Sequence, residues 1–276
     1  MPSRIWFANT ILNKSDSRYD LFEERAMRFG HGVFTTLLYD GGHLHDSSLH
    51  YARLCAHAVK FGLSCPFDEE EFSNALSALT YDMREGMALR VSVTGGYGGR
   101  GLDKAKEQVS QWYVTASPLN NVRQSSLTLG VSDICRNETS PLAFIKSLNY
   151  GDMILAKEAG RKQGWDDVLL LNTRGLLTCA SVANVFVKIR GRGWMTPRLR
   201  DGVMDGITRA KVLSQHSFIK EHPIDADMLR NAEAMALSNS LKGIQAVKLF
   251  WLDGSCFDLD EGAAQEIAID SQSAGE

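Results

Sequence analysis

Strand-like and helix-like stretches are mixed along this chain without regular βα alternation, which removes the doubly wound parallel sheet from the folds open to it. The first part reads as two β runs, RIWFANTIL (4–12) and VFTTLLYDGGHLH (33–45), the second folded at Gly41 and Gly42. A helix runs from about Asp46 to Phe61 and stops at Gly62. A second opens where Asp68 caps an acidic first turn of Glu69, Glu70 and Glu71, which suits the positive end of the helix dipole. Strands 88–94 and 109–116 close this part. The stretch SPLNNVRQSS (117–126), with Pro118 and paired asparagines, is the natural linker.

Beyond it the pattern gives a strand at 126–133, a helix from about 149 to 162, strands at 167–173, 175–178, 184–190 and 193–197, and a helix opening near Gly206. Strands at 235–239 and 246–252 follow, and the polar tail is expected to fray. With 276 residues, 44% of them hydrophobic and 23% charged, the chain can bury two modest cores. A net charge of −3 argues against a nucleic-acid or anionic-membrane binder, so any anionic ligand needs a local cationic cluster. The five cysteines form no metal-ligand spacing, and their odd number suits a reducing cytoplasm. No apolar run is long enough for a membrane span and the start has no signal-like apolar core, so the expected location is cytoplasmic.

Two local motifs bear on chemistry. Gly96, Gly98 and Gly101 satisfy GxGxxG after a strand, but no full helix opens there and the next strand ends without a carboxylate, so a dinucleotide site is not expected. A glycine-rich loop that lets Arg100 approach a ligand fits better, beside the plain reading as a turn. Lys146 ends the apolar stretch Pro141 to Ile145 and precedes Ser147, Leu148 and Asn149. A lysine held among apolar groups loses hydration of its ammonium, and the free amine then serves as nucleophile or base. Most such lysines instead lead their head group to water.

Six segments in order decide between these readings: ERAMRFGHGVFTTL (24–37), HYARL (50–54), IKSLNYGD (145–152), GLLTCASVANVF (175–186), TPRLRDGVMDGITR (196–209) and SNSLKGI (238–244). Together they resemble the fold type IV family of pyridoxal-phosphate enzymes, which includes branched-chain and D-amino-acid aminotransferases and 4-amino-4-deoxychorismate lyase. GGRG (98–101), IKSLN, TPRL and NSL resemble the lyase version more than the transaminase version. The resemblance implies a mixed α/β (α+β) two-domain fold. A small N-terminal domain (1–117), a linker (118–123) and a larger barrel-like C-terminal domain (124–276) are expected, with pyridoxal 5'-phosphate between the domains. It also implies a homodimer with the site near the interface, acting on a small molecule.

By the same resemblance Lys146 is the Schiff-base lysine and proton shuttle, and Arg53 is the phosphate-binding arginine, whose planar fork suits a dianion. The helix start at Gly206, Ile207 and Thr208 offers free N–H groups to that phosphate, and Ser240 a hydroxyl. Tyr150 packs against or hydrogen-bonds the cofactor. Of Thr35 and Thr36, which alternate across a strand, one faces the site and relays a proton. Arg100, then Arg28, are the candidate ligands for substrate carboxylates. Two positions depart from the family pattern. His31 stands where relatives carry an acid, and is read as a turn residue. Cys179 stands where relatives place a glutamate against the pyridine nitrogen, and a thiol cannot enforce a protonated ring as a carboxylate does. That disfavours an aminotransferase more than a lyase, and it leaves room for a catalytically impaired relative.

Overall fold

The computed structural model describes residues 4–7, 10–12, 24–97, 101–103, 109–119 and 126–269. The chain divides into two compact units, Met1–Asn121 with Ile145–Asn149, and Val122–Phe144 with Tyr150–Glu276. The segment around Lys146, expected in the C-terminal part, thus groups with the first unit. Residues 120–123 of the expected linker, and the end of the tail from 270, lie outside the described residues.

The first unit is built on an antiparallel sheet in the order β2-β1-β5-β4-β3, formed by Arg4–Phe7 (β1), Thr10–Leu12 (β2), Gly32–Tyr39 (β3), Met87–Thr94 (β4) and Gln111–Pro118 (β5). Helices α2 (Ser47–Lys60) and α3 (Glu69–Thr80) pack on it. A five-residue helix, α1 (Arg25–Phe29), which the sequence pattern did not announce, precedes β3. The α3 cap is as expected: the Asp68 carboxylate accepts the Glu71 N–H at 2.9 Å, and the Glu71 carboxylate accepts the Asp68 N–H at 3.3 Å. α3 buries Phe72, Leu76 and Leu79, spaced three and four apart along one face.

The cysteines depart from expectation. Cys55 on α2 and Cys65 beyond its end are joined as a disulfide, leaving Cys135, Cys179 and Cys256 free. The reason is local. α2 stops at Phe61, and Gly62 in a left-handed turn (φ 75°) reverses the chain, so the two Cα atoms lie 5.1 Å apart.

The second unit holds a mixed nine-stranded sheet. Its strands are β6 (Leu127–Val131), β7 (Asp167–Leu171), β8 (Leu177–Ala180), β9 (Asn184–Ile189), β10 (Gly193–Thr196), β11 (Lys220–Glu221), β12 (Ala232–Asn239), β13 (Gly243–Leu252) and β14 (Ser255–Asp258). The order is β11-β10-β9-β12-β13-β6-β7-β8, with β14 on β13. β8 closes one end of this path, yet it joins β9 near the other end through a turn closed by the Ala180 N–H on the Ala183 carbonyl. Only a curled, half-barrel sheet satisfies both. Alternation then divides the side chains: Val185, Val187 and Ile189 of β9 enter the barrel core with Leu129, Met235 and Phe250. Phe186, on the opposite face, packs with Trp194, Val212 and Ile267.

Helices α4 (Gly151–Lys162) and α5 (Ile207–Gln215) lie where the sequence put them, while α6 (Ala226–Leu229), β11 and β14 are too short to carry a readable period. The C-terminal stretch differs from the frayed tail expected of it. A 3-10 turn at Gly262–Ile267 buries Ala263, Ala264 and Ile267.

Candidate active site

Within the first unit, Ile145–Asn149 returns to β3 as a short antiparallel crossing. Val33 pairs with Ser147, the Phe34 N–H donates to the Lys146 carbonyl at 2.9 Å, and the Leu148 N–H donates to the Gly32 carbonyl at 2.9 Å. Ala143 and Ile145 are buried, Lys146 is half-buried, and its Nζ lies 4.3 Å from the centre of the Phe34 ring. The apolar surroundings expected of this lysine are therefore present, and its ammonium meets an aromatic face. The guanidinium of Arg90, on β4, lies over the same ring at 3.6 Å.

The two threonines part company here. Thr35 is fully buried towards α2: its Oγ1 is 2.6 Å from His50 Nδ1 and accepts from Arg53 Nη2 at 2.8 Å. Thr36 shares the opposite face of β3 with Phe34, the face on which Lys146 and Arg90 lie. Arg53 is half-buried on α2, with its fork steadied by Thr35. One turn further along that helix, His57 is buried and its Nδ1 accepts the backbone N–H of Lys146 at 3.1 Å. Burial, helped by the charges of Arg53, Lys60 and Lys146, lowers the His57 pKa from 6.5 to about 4, so the ring is neutral at physiological pH. His57 and Arg90 were both missed by sequence reasoning. For His57 a signal exists, because His50, Arg53, Leu54 and His57 fall three, four and seven apart on one helical face.

Arg28 is exposed in the last turn of α1, and Arg100 lies outside the described residues. Buried Arg25, which carried no expectation, donates to the carbonyls of Gly101 and Leu102 at 3.0 and 2.8 Å, and to His31 Nδ1 at 3.1 Å. His31 therefore anchors an arginine as well as standing in a turn.

In the second unit, α5 begins at Gly206 with no side-chain cap, so the first N–H groups of the helix, from Ile207 and Thr208, have no intrahelical acceptor. Gly206, Ile207 and Thr208 are all buried. Glycine is required at 206, because a Cβ there would stand 2.0 Å from Asn184 Oδ1. Asn184 itself donates to the Met204 carbonyl at 2.9 Å and so clamps the approach to the helix. Across β9 and β12 Asn184 pairs with Ser238, whose buried hydroxyl has no hydrogen-bond partner among the described residues. Ser240 follows in the turn after β12 and is half-buried.

The loop before α5 is tied by Asp201. That buried carboxylate accepts from Arg198 at 2.8 and 3.0 Å and from Arg174 at 3.1 Å. Tyr150 is the half-buried N-cap of α4. Cys179 on β8 is buried among Ala156, Val168 and Leu170, with the Thr178 hydroxyl 3.6 Å from its sulfur.

Within the first unit, a half-buried lysine amine and an oriented guanidinium suit the aldehyde and the phosphate of a phosphorylated pyridine aldehyde; within the second, an uncapped buried helix start suits an anion.

A family model described as amino-transferase class IV matches residues 32–250, and the chain belongs to that family. Its members bind pyridoxal phosphate. A putative branched-chain-amino-acid aminotransferase of Methanocaldococcus jannaschii is 24% identical over 262 residues, 91% of this chain and 88% of that protein. The branched-chain aminotransferase of Thermoproteus uzoniensis superposes with a TM-score of 0.85 at 24% identity, covering 96% of this chain and 91% of the other, and it shares the fold. A putative 4-amino-4-deoxychorismate lyase from Legionella pneumophila superposes with a TM-score of 0.81 at 26% identity, covering 92% and 94%.

Proposed function

We propose that this class IV enzyme is a pyridoxal-phosphate-dependent 4-amino-4-deoxychorismate lyase, releasing pyruvate and leaving 4-aminobenzoate, a step in folate supply. The observation that carries the reading is Cys179: the position expected to face the ring nitrogen holds a thiol in an apolar cluster. Transamination depends on a ring kept protonated as a deep electron sink, whereas elimination lets the departing group take the electrons. Likeness to the Legionella protein supports the same reading.

When bound, pyridoxal phosphate supplies a conjugated electron-withdrawing ring joined to the substrate amine. We assign its phosphate to Arg53, the Ile207 and Thr208 N–H groups and the Ser240 hydroxyl, and Tyr150 to contact with the cofactor. Lys146 takes the proton from the amine-bearing carbon of the substrate. The ether bond to the enolpyruvyl group then breaks, and that pair of electrons leaves with its oxygen. We assign that oxygen's proton to Thr36, which shares the Phe34 face of β3, while Thr35 holds Arg53. Atoms balance without an oxidant, since the substrate divides into 4-aminobenzoate and the enol of pyruvate. Aromatisation of the ring supplies much of the driving force. Arg90 offers a cation to a substrate carboxylate on the Lys146 face, in addition to the Arg100 and Arg28 suggested by the sequence. A cytoplasmic homodimer belongs to this reading.

A second reading is an aminotransferase for branched-chain or D-amino acids, its branched-chain form supported by the Methanocaldococcus relative. Incubating the loaded protein with aminodeoxychorismate, and separately with leucine or D-alanine plus 2-oxoglutarate, divides the two. Equimolar pyruvate and 4-aminobenzoate are expected from the first mixture. Amino-group transfer in the second, with the first untouched, overturns the proposal. Turnover of neither would point to a binding protein without activity.

A further inference from the structure

The main chain at Lys146 is held from two sides. Its carbonyl accepts from the Phe34 N–H on β3 at 2.9 Å, while its N–H donates not to β3 but to His57 Nδ1 on α2 at 3.1 Å. His57 and Arg53 stand one turn apart on α2, on the same face. We propose that His57 is a positioning residue for the reaction: one helix face carries both the guanidinium assigned to the cofactor phosphate and the imidazole that sets the lysine backbone. The two ends of the cofactor are thereby gripped by a single rigid element. The inference rests on the reading that Lys146 and Arg53 hold pyridoxal phosphate.

For Nδ1 to accept, the ring proton must sit on Nε2. The charged groups acting on the ring are cations: Arg53 and Lys60 from α2, and Lys146 from the crossing segment. With burial they hold the pKa at about 4, which keeps Nδ1 an acceptor at working pH. A proton gained in acid would set two donors face to face and release the lysine main chain.

Two variants of the full chain test this. His57→Leu fills the space without an acceptor, and His57→Asn keeps an amide oxygen near the Nδ1 position without titrating. Protection of the Lys146 amide against hydrogen exchange is read with and without bound pyridoxal phosphate, alongside kcat, KM and their pH profiles. His57→Leu is expected to lose roughly tenfold in protection and roughly tenfold in kcat at unchanged KM, the equivalent of one hydrogen bond. His57→Asn is expected to restore both and to remove the acid limb of kcat. Equal protection in wild type and His57→Leu, or no rescue by His57→Asn, overturns the proposal. If His57→Leu does not fold, loss of wild-type protection on acidification through about pH 4, retained in His57→Asn, decides it. Because exchange is also measured without cofactor, failure of cofactor to attach at Lys146 would sink the functional reading and leave the exchange result standing.

Discussion

At the scale of single residues the account turns on Lys146, Cys179 and His57. Lys146 is half-buried against Phe34, and replacing it with alanine removes the only group assigned to move the substrate proton. Activity is expected to fall by about 10²–10⁴-fold, as for other general bases, while Arg53 and the α5 start still retain cofactor measurably by dialysis. Cys179→Glu would place a carboxylate where the family resemblance expects one. It is expected to raise half-reaction conversion of the cofactor with amino acids, measured by its absorbance, without a matching gain in elimination. If no transfer appears and the lyase rate is unchanged, the electronic argument from position 179 fails.

His57 makes a prediction for stability as well. Its pKa is lowered by folding from 6.5 to about 4, so between these values the unfolded chain binds a proton that the folded chain does not. The stability it contributes is complete above about pH 6.5 and is lost as pH falls towards 4. Tm measured from pH 7 to 4 should therefore drop less steeply in His57→Asn than in wild type.

At the scale of elements, what could be read in advance followed from length and capping. α2 and α3 were legible because each runs three turns or more with a stop or cap in the sequence, Gly62 for one and Asp68 with Glu71 for the other. α6, β11 and β14 have two to four residues, and nothing local distinguishes them from loop. The start of α5 was legible as a helix opening, which we propose as an anion site. The residues that shape it, Asn184 and the Asp201 carboxylate with its arginines, come from distant stretches brought close only by folding. Gly206→Val would drive Asn184 aside, and is expected to weaken phosphate-dependent cofactor retention, read as a raised cofactor Kd, more than it lowers Tm. Asp201→Ala would remove the buried carboxylate that ties Arg198 and Arg174, which stay partly exposed with Arg174 still paired to Glu138, and is expected to cost about 1–3 kcal/mol in denaturant unfolding.

For the whole molecule, the mixed architecture was legible from strands and helices that do not alternate, and the ordered motifs gave the family. The placement of Ile145–Asn149 with the first unit was not, because its partners Gly32, Phe34 and His57 lie some ninety or more positions earlier in the chain. Pairing over such separations leaves no periodic trace. The disulfide between Cys55 and Cys65 was hidden for a related reason, since it depends on how the chain turns at the end of α2.

The C-terminal stretch shows the same limit. Its short turn reads as polar tail, yet Ile267 is fully buried against the Phe186 and Trp194 layer. Ile267→Ala is expected to cost about 2–5 kcal/mol, which a fraying tail would not show.

All of this chemistry requires that the amine at position 146 holds the cofactor. Reducing the loaded protein with borohydride, digesting it and locating the modified peptide by mass spectrometry tests that most directly. The account predicts a pyridoxyl phosphate mass on Lys146 and its loss in Lys146→Ala; label on another lysine, or none on a protein that retains the cofactor, would contradict it.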